Sequence, residues 1–175
     1  MPLNFEFKAR TENSKSLESL LLKQRPLFIG EDTQVDTYFN VPHGRLKLRE
    51  GLIENALIHY ERKNDADARQ SNVLLYQHQP DSSLKRILST ALGIKTVVNK
   101  KRKIYFIENI KFHFDEVKEL GTFVEVEAID KDGTIGIDKL KGQCAAYIKL
   151  FRLSKADLVA ESYSDLLLAK KSSTI

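Results

Sequence analysis

The run "GRLKLRE", Gly44 to Glu50, sets Arg45, Lys47 and Arg49 at every second position, with Leu46 and Leu48 between them. A period of two is the pattern of a β-strand, whose successive side chains point to opposite faces. One face of this strand therefore carries cations and the other leucine. A half-buried sheet ordinarily turns a mixed polar face to water, and this strand taken alone reads that way. Its neighbours change the reading, because their charges are sorted by sign. Lys8, Arg62, Lys100 and Arg102 join the triplet as cations at alternating positions, against an acidic set of Asp115, Glu125 and Glu127. Such sorting points to a charged interior that holds a ligand.

The same alternation recurs over Leu3 to Ala9, Val35 to Phe39, Leu57 to Lys63, Val97 to Ile107 and Thr122 to Ile129, with "NIKFHFDEV" (Asn109 to Val117) as a further strand. Antiparallel β-structure dominates. Between the strands, Ser14 opens a helical segment bearing Leu17, Leu20 and Leu21 that stops near Pro26, and Asp81 caps another bearing Leu84, Ile87 and Leu88 before Gly93. Ile137, Leu140, Cys144 and Ile148 repeat at helical spacing, and Ser154 with Asp157 predicts a last helix carrying Leu158, Leu166 and Leu167. "NDADARQSN", Asn64 to Asn72, reads as a polar loop. No repeat or linker divides the chain, so one domain is expected over residues 1–170, with 171–175 as a flexible tail.

The 175 residues, 42% of them hydrophobic, suffice for one sizeable core, and the formal net charge of +4 predicts no particular partner. Charged Glu6, Lys8 and Arg10 near the start do not fit the apolar core of a signal peptide, and no run reaches the roughly 18 apolar residues of a membrane span. A cytoplasmic protein is expected, with no membrane partner. A single cysteine, Cys144, excludes a disulfide within the chain and reads as a buried, inert thiol.

A sheet curled into a barrel turns one face inward. Phe5 and Phe7, Leu46 and Leu48, and Val124 and Val126 would then pack under helices while the charged faces line the lumen, although Phe123 shares the parity of Glu125. Buried charges need neutralising partners, and a polyphosphate with a divalent cation supplies both signs. Glu125 and Glu127 lie two apart on one face and could share a cation, with Asp115 or Glu6 completing an oxygen set that suits Mg²⁺ or Mn²⁺ better than zinc. His113 shares the parity of Asp115 but reads as a structural residue. There is no Walker loop, GxGxxG or HExxH motif, and "DKDG", Asp130 to Gly133, reads as a turn. Nucleic acid is not expected, since an acidic cluster faces the cations.

The segments "NFEFKAR", "QVDTYFNVPHGRLKLRE", "LIHYERKN", "KKRKIYF", "HFDEVKELGTFVEVEA" and "SYSDLLL" resemble, in order and over most of the chain, the CYTH family. These triphosphate tunnel metalloenzymes include class IV adenylyl cyclases and thiamine triphosphatases, and the central segments are most similar to bacterial proteins grouped with the cyclases. The resemblance implies an α+β fold: an eight-stranded antiparallel β-barrel forming an open tunnel, with surrounding helices. The family signature Glu-x-Glu-x-Lys aligns with "NFEFK", so Glu6 and Lys8 match while Asn4 replaces the first acid. One or two metals are compatible with that loss.

By the resemblance, Lys8, Arg45, Lys47, Arg49, Arg62, Lys100 and Arg102 bind the triphosphate, and Lys8, Lys47 and Arg49 act in catalysis. Glu6, Asp115, Glu125 and Glu127 hold Mg²⁺ or Mn²⁺. Strand parity leaves open whether Lys100 and Arg102 or Lys101 and Lys103 point inward. The implied activity is conversion of ATP to cyclic AMP and pyrophosphate. The alternatives are hydrolysis of tripolyphosphate, a nucleoside triphosphate or thiamine triphosphate, and binding of a polyphosphate or nucleotide without turnover. The sequence leaves the oligomeric state open, with a homodimer among the options.

Overall fold

The computed structural model describes residues 3–61 and 69–173, with 69–72 by their backbone alone. Its elements run β1 (Leu3–Arg10), α1 (Ser14–Leu22), β2 (Leu27–Phe39), β3 (Arg45–Glu50), β4 (Ala56–Glu61), β5 (Arg69–Gln77), α2 (Ser82–Leu92), β6 (Ile94–Ile107), β7 (Ile110–Val117), β8 (Gly121–Asp130), α3 (Ile137–Leu150) and α4 (Tyr163–Ser172). The strands close into a barrel in the order β1-β5-β4-β3-β2-β6-β7-β8, and every neighbouring pair is antiparallel. The expected α+β barrel is thus the observed fold.

Two stretches differ from expectation. In the polar stretch Asn64 to Asn72, residues 69–72 begin β5 and pair with β1, with Leu3 opposite Asn72 and Glu6 opposite Arg69, which closes the barrel. Residues 64–68 lie outside the described residues. No helix starts at Ser154: the Asp157 carboxylate accepts both the Ser154 N–H and its hydroxyl at 2.7 Å, which closes a turn. The chain then runs beside β1, through Arg10 N–H to Asp157 O at 2.9 Å and Val159 N–H to Lys8 O at 2.8 Å. Helix α4 starts instead at Tyr163 under a reciprocal cap between Ser162 and Asp165, and it includes Lys171 and Ser172.

Alternation divides the apolar residues between the two sides of the wall. Outward-facing Phe5, Phe7, Phe112, Val124 and Val126 pack with Leu17 and Leu21 of α1 and with Leu140 and Cys144 of α3. Each such side chain contributes about 1.5–3 kcal/mol on full burial. Phe123 faces the other way, into a second cluster with Tyr38, Ile58, Tyr60 and Val98 that receives Tyr163 and Leu167 from α4. Its parity with Glu125 is explained: the interior is apolar where Tyr163 and Leu167 of α4 pack into it. Helix α2 buries none of its side chains and touches the barrel through Lys85 Nζ and Glu50 Oε2 at 2.7 Å. Among the described residues, no helix is long and apolar enough to cross a membrane.

Candidate active site in the barrel interior

The interior encloses a cavity of about 480 Å³, running from Tyr163 at the α4 end to a mouth at Ile53, Gln77, His78 and Pro80. Its walls are charged because of strand register. Asp36 on β2 stands opposite Arg49 on β3, and Arg102 on β6 opposite Asp115 on β7. The Arg49 guanidinium donates to both Asp36 oxygens, at 2.9 and 3.0 Å, while Lys100 Nζ donates to Oδ2 at 2.6 Å and Lys47 Nζ lies 3.1 Å away. Burial pushes the Asp36 carboxyl up, but Arg49, Lys100 and Lys47 outweigh it and hold the group well below its ordinary range. Desolvation in turn lowers Lys100 in spite of Asp36.

A second pair fixes the adjoining wall, on β6 and β7. Arg102 donates through Nε and Nη2 to the two Asp115 oxygens, each at 2.6 Å, and the Tyr163 hydroxyl donates to Oδ2 at 2.7 Å. Such a bidentate pair is geometrically restrictive. Asp115, expected from sequence as a metal ligand, thus has both oxygens engaged by Arg102 and one of them also by Tyr163, which ties α4 to the barrel.

Toward the mouth lie the remaining carboxylates. Glu6 on β1 faces Glu127 on β8, and Lys8 faces Glu125. Burial and then the Glu6 charge push the Glu127 carboxyl up to about 7, whereas at Glu125 burial is outweighed by Lys8, His113 and Arg102 together, which keep it well below the carboxylate range. Asn4 Nδ2 donates to Glu127 Oε1 at 2.6 Å. Among the described residues, the buried Asn4 Oδ1 and both His113 ring nitrogens have no hydrogen-bond partner. His113 Nδ1 stands 4.0 Å from Glu125 Oε2, too far for a hydrogen bond, and burial with Arg102 and Lys111 lowers its pKa to about 3. Among the described residues, no three His, Cys, Asp or Glu side chains are grouped so that they could hold a metal ion by themselves. The facing Glu6 and Glu127, with an orphaned amide oxygen beside them, nevertheless fit a hard divalent cation, which would relieve their repulsion.

Of the residues expected from sequence, Lys8, Lys47, Arg49, Lys100, Arg102, Glu6, Glu125 and Glu127 line this one cavity. Lys100 and Arg102 are the inward pair; Lys103 points outward to Glu18 of α1 at 3.0 Å. Arg45 lies apart, 2.8 Å from Asp165, in a smaller cavity of about 90 Å³ beside Lys95 and Ser164. Arg62 lies outside the described residues. Sequence reading missed Asp36, Lys111, Tyr163 and Glu54. The first two share the parity of inward neighbours and were legible on that ground, whereas Tyr163 and Glu54 enter from a helix and a loop.

A closed barrel lined by opposed cations and carboxylates is an arrangement that suits a polyanion with a cation beside it. The chain belongs to the CYTH domain family, whose model matches residues 3–163. Comparison with curated proteins gives no significant match. Among solved structures it resembles the PH1012 protein of Pyrococcus horikoshii (TM-score 0.79, 21% identity, covering 93% of this chain and 98% of that one). It also resembles an adenylate cyclase candidate from Vibrio parahaemolyticus (0.72, 20%, 94% and 97%). A third is HpAC1 of Hippeastrum, an adenylyl cyclase candidate with a dominant triphosphatase activity (0.63, 13%, 98% and 96%). At these identities the likeness is one of fold.

Proposed function

We propose that the barrel interior binds a nucleoside triphosphate together with Mg²⁺ or Mn²⁺ and converts it by phosphoryl-transfer chemistry, with cyclisation of ATP to cyclic AMP and pyrophosphate as the leading reaction. One observation carries the reading: four strands (β1, β3, β6 and β7) aim Lys8, Lys47, Arg49, Lys100, Arg102 and Lys111 into a single cavity, with Glu6 and Glu127 facing one another on the mouth side of Lys8. Phosphoryl transfer asks chiefly for positioning and charge stabilisation. Fixed cations on several walls orient a chain of phosphates, and the pairs Asp36–Arg49 and Asp115–Arg102 preorganise the guanidinium groups.

The divalent cation, held by Glu6, Glu127 and Glu125, supplies charge neutralisation at the reacting phosphate. A nucleoside at the mouth, against Ile53 and Gln77, sets its α-phosphate near Glu6 and Glu127 and its terminal phosphate near Lys8, which favours attack by the ribose hydroxyl. Hydrolysis of the terminal phosphate is the second reading. It is favoured by Glu125, which lies deeper, 3.6 Å from Arg102.

Product analysis separates the two: protein, ATP and Mn²⁺ followed by ³¹P NMR. Cyclic AMP with pyrophosphate supports cyclisation, and orthophosphate supports hydrolysis. In either case Glu125→Gln with Glu127→Gln abolishes turnover while the fold is retained. Normal turnover by that double variant would refute the metal assignment.

A further inference from the structure

We propose that Glu54 is a displaceable internal anion: its carboxylate stands in a phosphate position of the cavity, and a triphosphate evicts it in order to bind. This rests on the reading of the cavity as a triphosphate site. Glu54 lies in the loop between β3 and β4. Its Oε2 accepts from Arg49 Nη1 at 3.0 Å and from Gln34 Nε2 at 2.9 Å, and its Oε1 accepts from Lys111 Nζ. The donors come from β3, β2 and β7. Since β2 and β6 separate β3 from β7 in the barrel, the ion pair with Lys111 crosses the lumen. An oxyanion held by a guanidinium, an ammonium and an amide from three strands has the donor set of a bound phosphate oxygen.

Of the acids that hold the Arg49 and Arg102 guanidinium groups, Asp36 and Asp115 are not placed to leave. Asp36 and Asp115 are fully buried and are each engaged by several donors. Glu54 is at the mouth, with 21% of its side chain exposed, and has water to move into. Its backbone is held: Asp32 accepts from the N–H groups of Leu52 (2.6 Å), Ile53 (3.1 Å) and Glu54 (3.0 Å). A Cβ on Gly51 would come within 2.6 Å of the same carboxylate, so the turn admits only glycine there. Eviction is therefore a rotation of the Glu54 side chain about a fixed anchor and not an opening of the loop.

Electrostatics gives the reason for an evictable acid. Among the described residues, and leaving aside Asp32, whose carboxylate is taken up by the N–H groups of the β3–β4 loop, the interior carboxylates Glu6, Asp36, Glu54, Asp115, Glu125 and Glu127 match the inward cations Lys8, Lys47, Arg49, Lys100, Arg102 and Lys111 in number. A polyanion entering so balanced a lumen gains most where a bound carboxylate gives up its cations. Removing Glu54 frees Arg49 Nη1 and Lys111 Nζ together, while Arg49 stays anchored on Asp36. Affinity is reduced by the fraction of molecules with the site open, so Glu54 sets the affinity of the cavity.

The test is a calorimetric titration of tripolyphosphate, with Mg²⁺ present, into wild type and Glu54→Gln, paired with the thermal midpoint of each. The expected result is binding by the variant about tenfold tighter or more, as a population shift of that size requires. The variant should also have a lower midpoint without ligand and a larger rise with it. Glu54→Ala serves in the same way if the glutamine variant does not fold. Wild-type binding with equal or weaker binding by the variants would overturn the proposal and make Glu54 a positioning group for Arg49. Absence of binding by any of the three would overturn the triphosphate reading itself, and the role of Glu54 with it.

Discussion

Glu6 on β1 and Glu127 on β8 stand directly opposite one another in the antiparallel register. Two facing carboxylates oppose each other's ionisation. Burial and the Glu6 charge raise the Glu127 pKa to about 7. A folded pKa raised above its unfolded value gives stability that is present below the unfolded pKa, about 4.5, and is lost as pH rises through 7.

Without added metal, this pair therefore lowers the thermal midpoint between pH 5 and pH 8. Mg²⁺ or Mn²⁺ should restore it at pH 8, by about 3–6 °C on the scale of 2–4 °C per kcal/mol, and hardly at all at pH 5, where Glu127 keeps its proton. Glu127→Gln removes both trends. Scanning calorimetry at the two pH values checks this; equal metal effects at both would contradict it.

Lys47 and Arg49 share a strand face, but their substitutions should behave differently. A cation lost from a crowded basic tunnel would relieve repulsion, yet Arg49 is the bidentate partner of Asp36. Arg49→Ala leaves a buried carboxylate short of a partner, a change that costs about 3–5 kcal/mol for an isolated buried pair and less here because Lys100 and Lys47 remain. Lys47→Ala should leave the midpoint within a few degrees and weaken tripolyphosphate binding about tenfold or more, as loss of one charge-assisted contact implies. Titration calorimetry beside thermal denaturation separates the two effects.

Tyr163 donates to Asp115 at 2.7 Å from inside the barrel end. Tyr163→Phe keeps the apolar packing against Phe123 and loses one hydrogen bond to a charged group, worth about 1.5–3 kcal/mol. Urea denaturation should register that loss. A loss well above it would mean that the hydroxyl supports more than Asp115.

Cys144 is buried in α3, and its Sγ donates to Phe5 O at 3.2 Å. Burial pushes the thiol up to about 12. At pH 8 it should be unreactive toward a disulfide reagent in the native protein and react fully in denaturant, as the thiolate is the nucleophile. Rapid labelling of the native protein would contradict this placement.

Much of this architecture was legible in the alternation of short segments. The triplet in "GRLKLRE" lies on β3 as read, and Lys47 and Arg49 reach the cavity with Lys8, Lys100 and Arg102. Period alone does not say where along the barrel a residue sits, so Arg45 reads like its neighbours although it ends beside Asp165 at the α4 end. Alternation marks no strand at β5, because residues 69–72, "RQSN", have no apolar alternation and Val73 to Tyr76 form an unbroken apolar run; the backbone pairs with β1 and β4 all the same. Ser154 and Asp157 have the composition of a helix cap, but Asp157 spends its carboxylate on a turn. Asp115 reads as a metal ligand by composition, and only the fold shows Arg102 and Tyr163 on both its oxygens. Glu54 depends on a loop held by Asp32, a relation between residues 22 apart in sequence.

The central claim is that the barrel interior holds a triphosphate beside a divalent cation. A crystal structure with a non-hydrolysable ATP analogue and Mn²⁺, using anomalous scattering to locate the metal, tests it most directly. The account predicts a manganese peak between Glu6 and Glu127, with phosphates against Lys47, Arg49, Lys100 and Arg102. Manganese and phosphates bound outside the barrel, with the interior ion pairs intact, would contradict it.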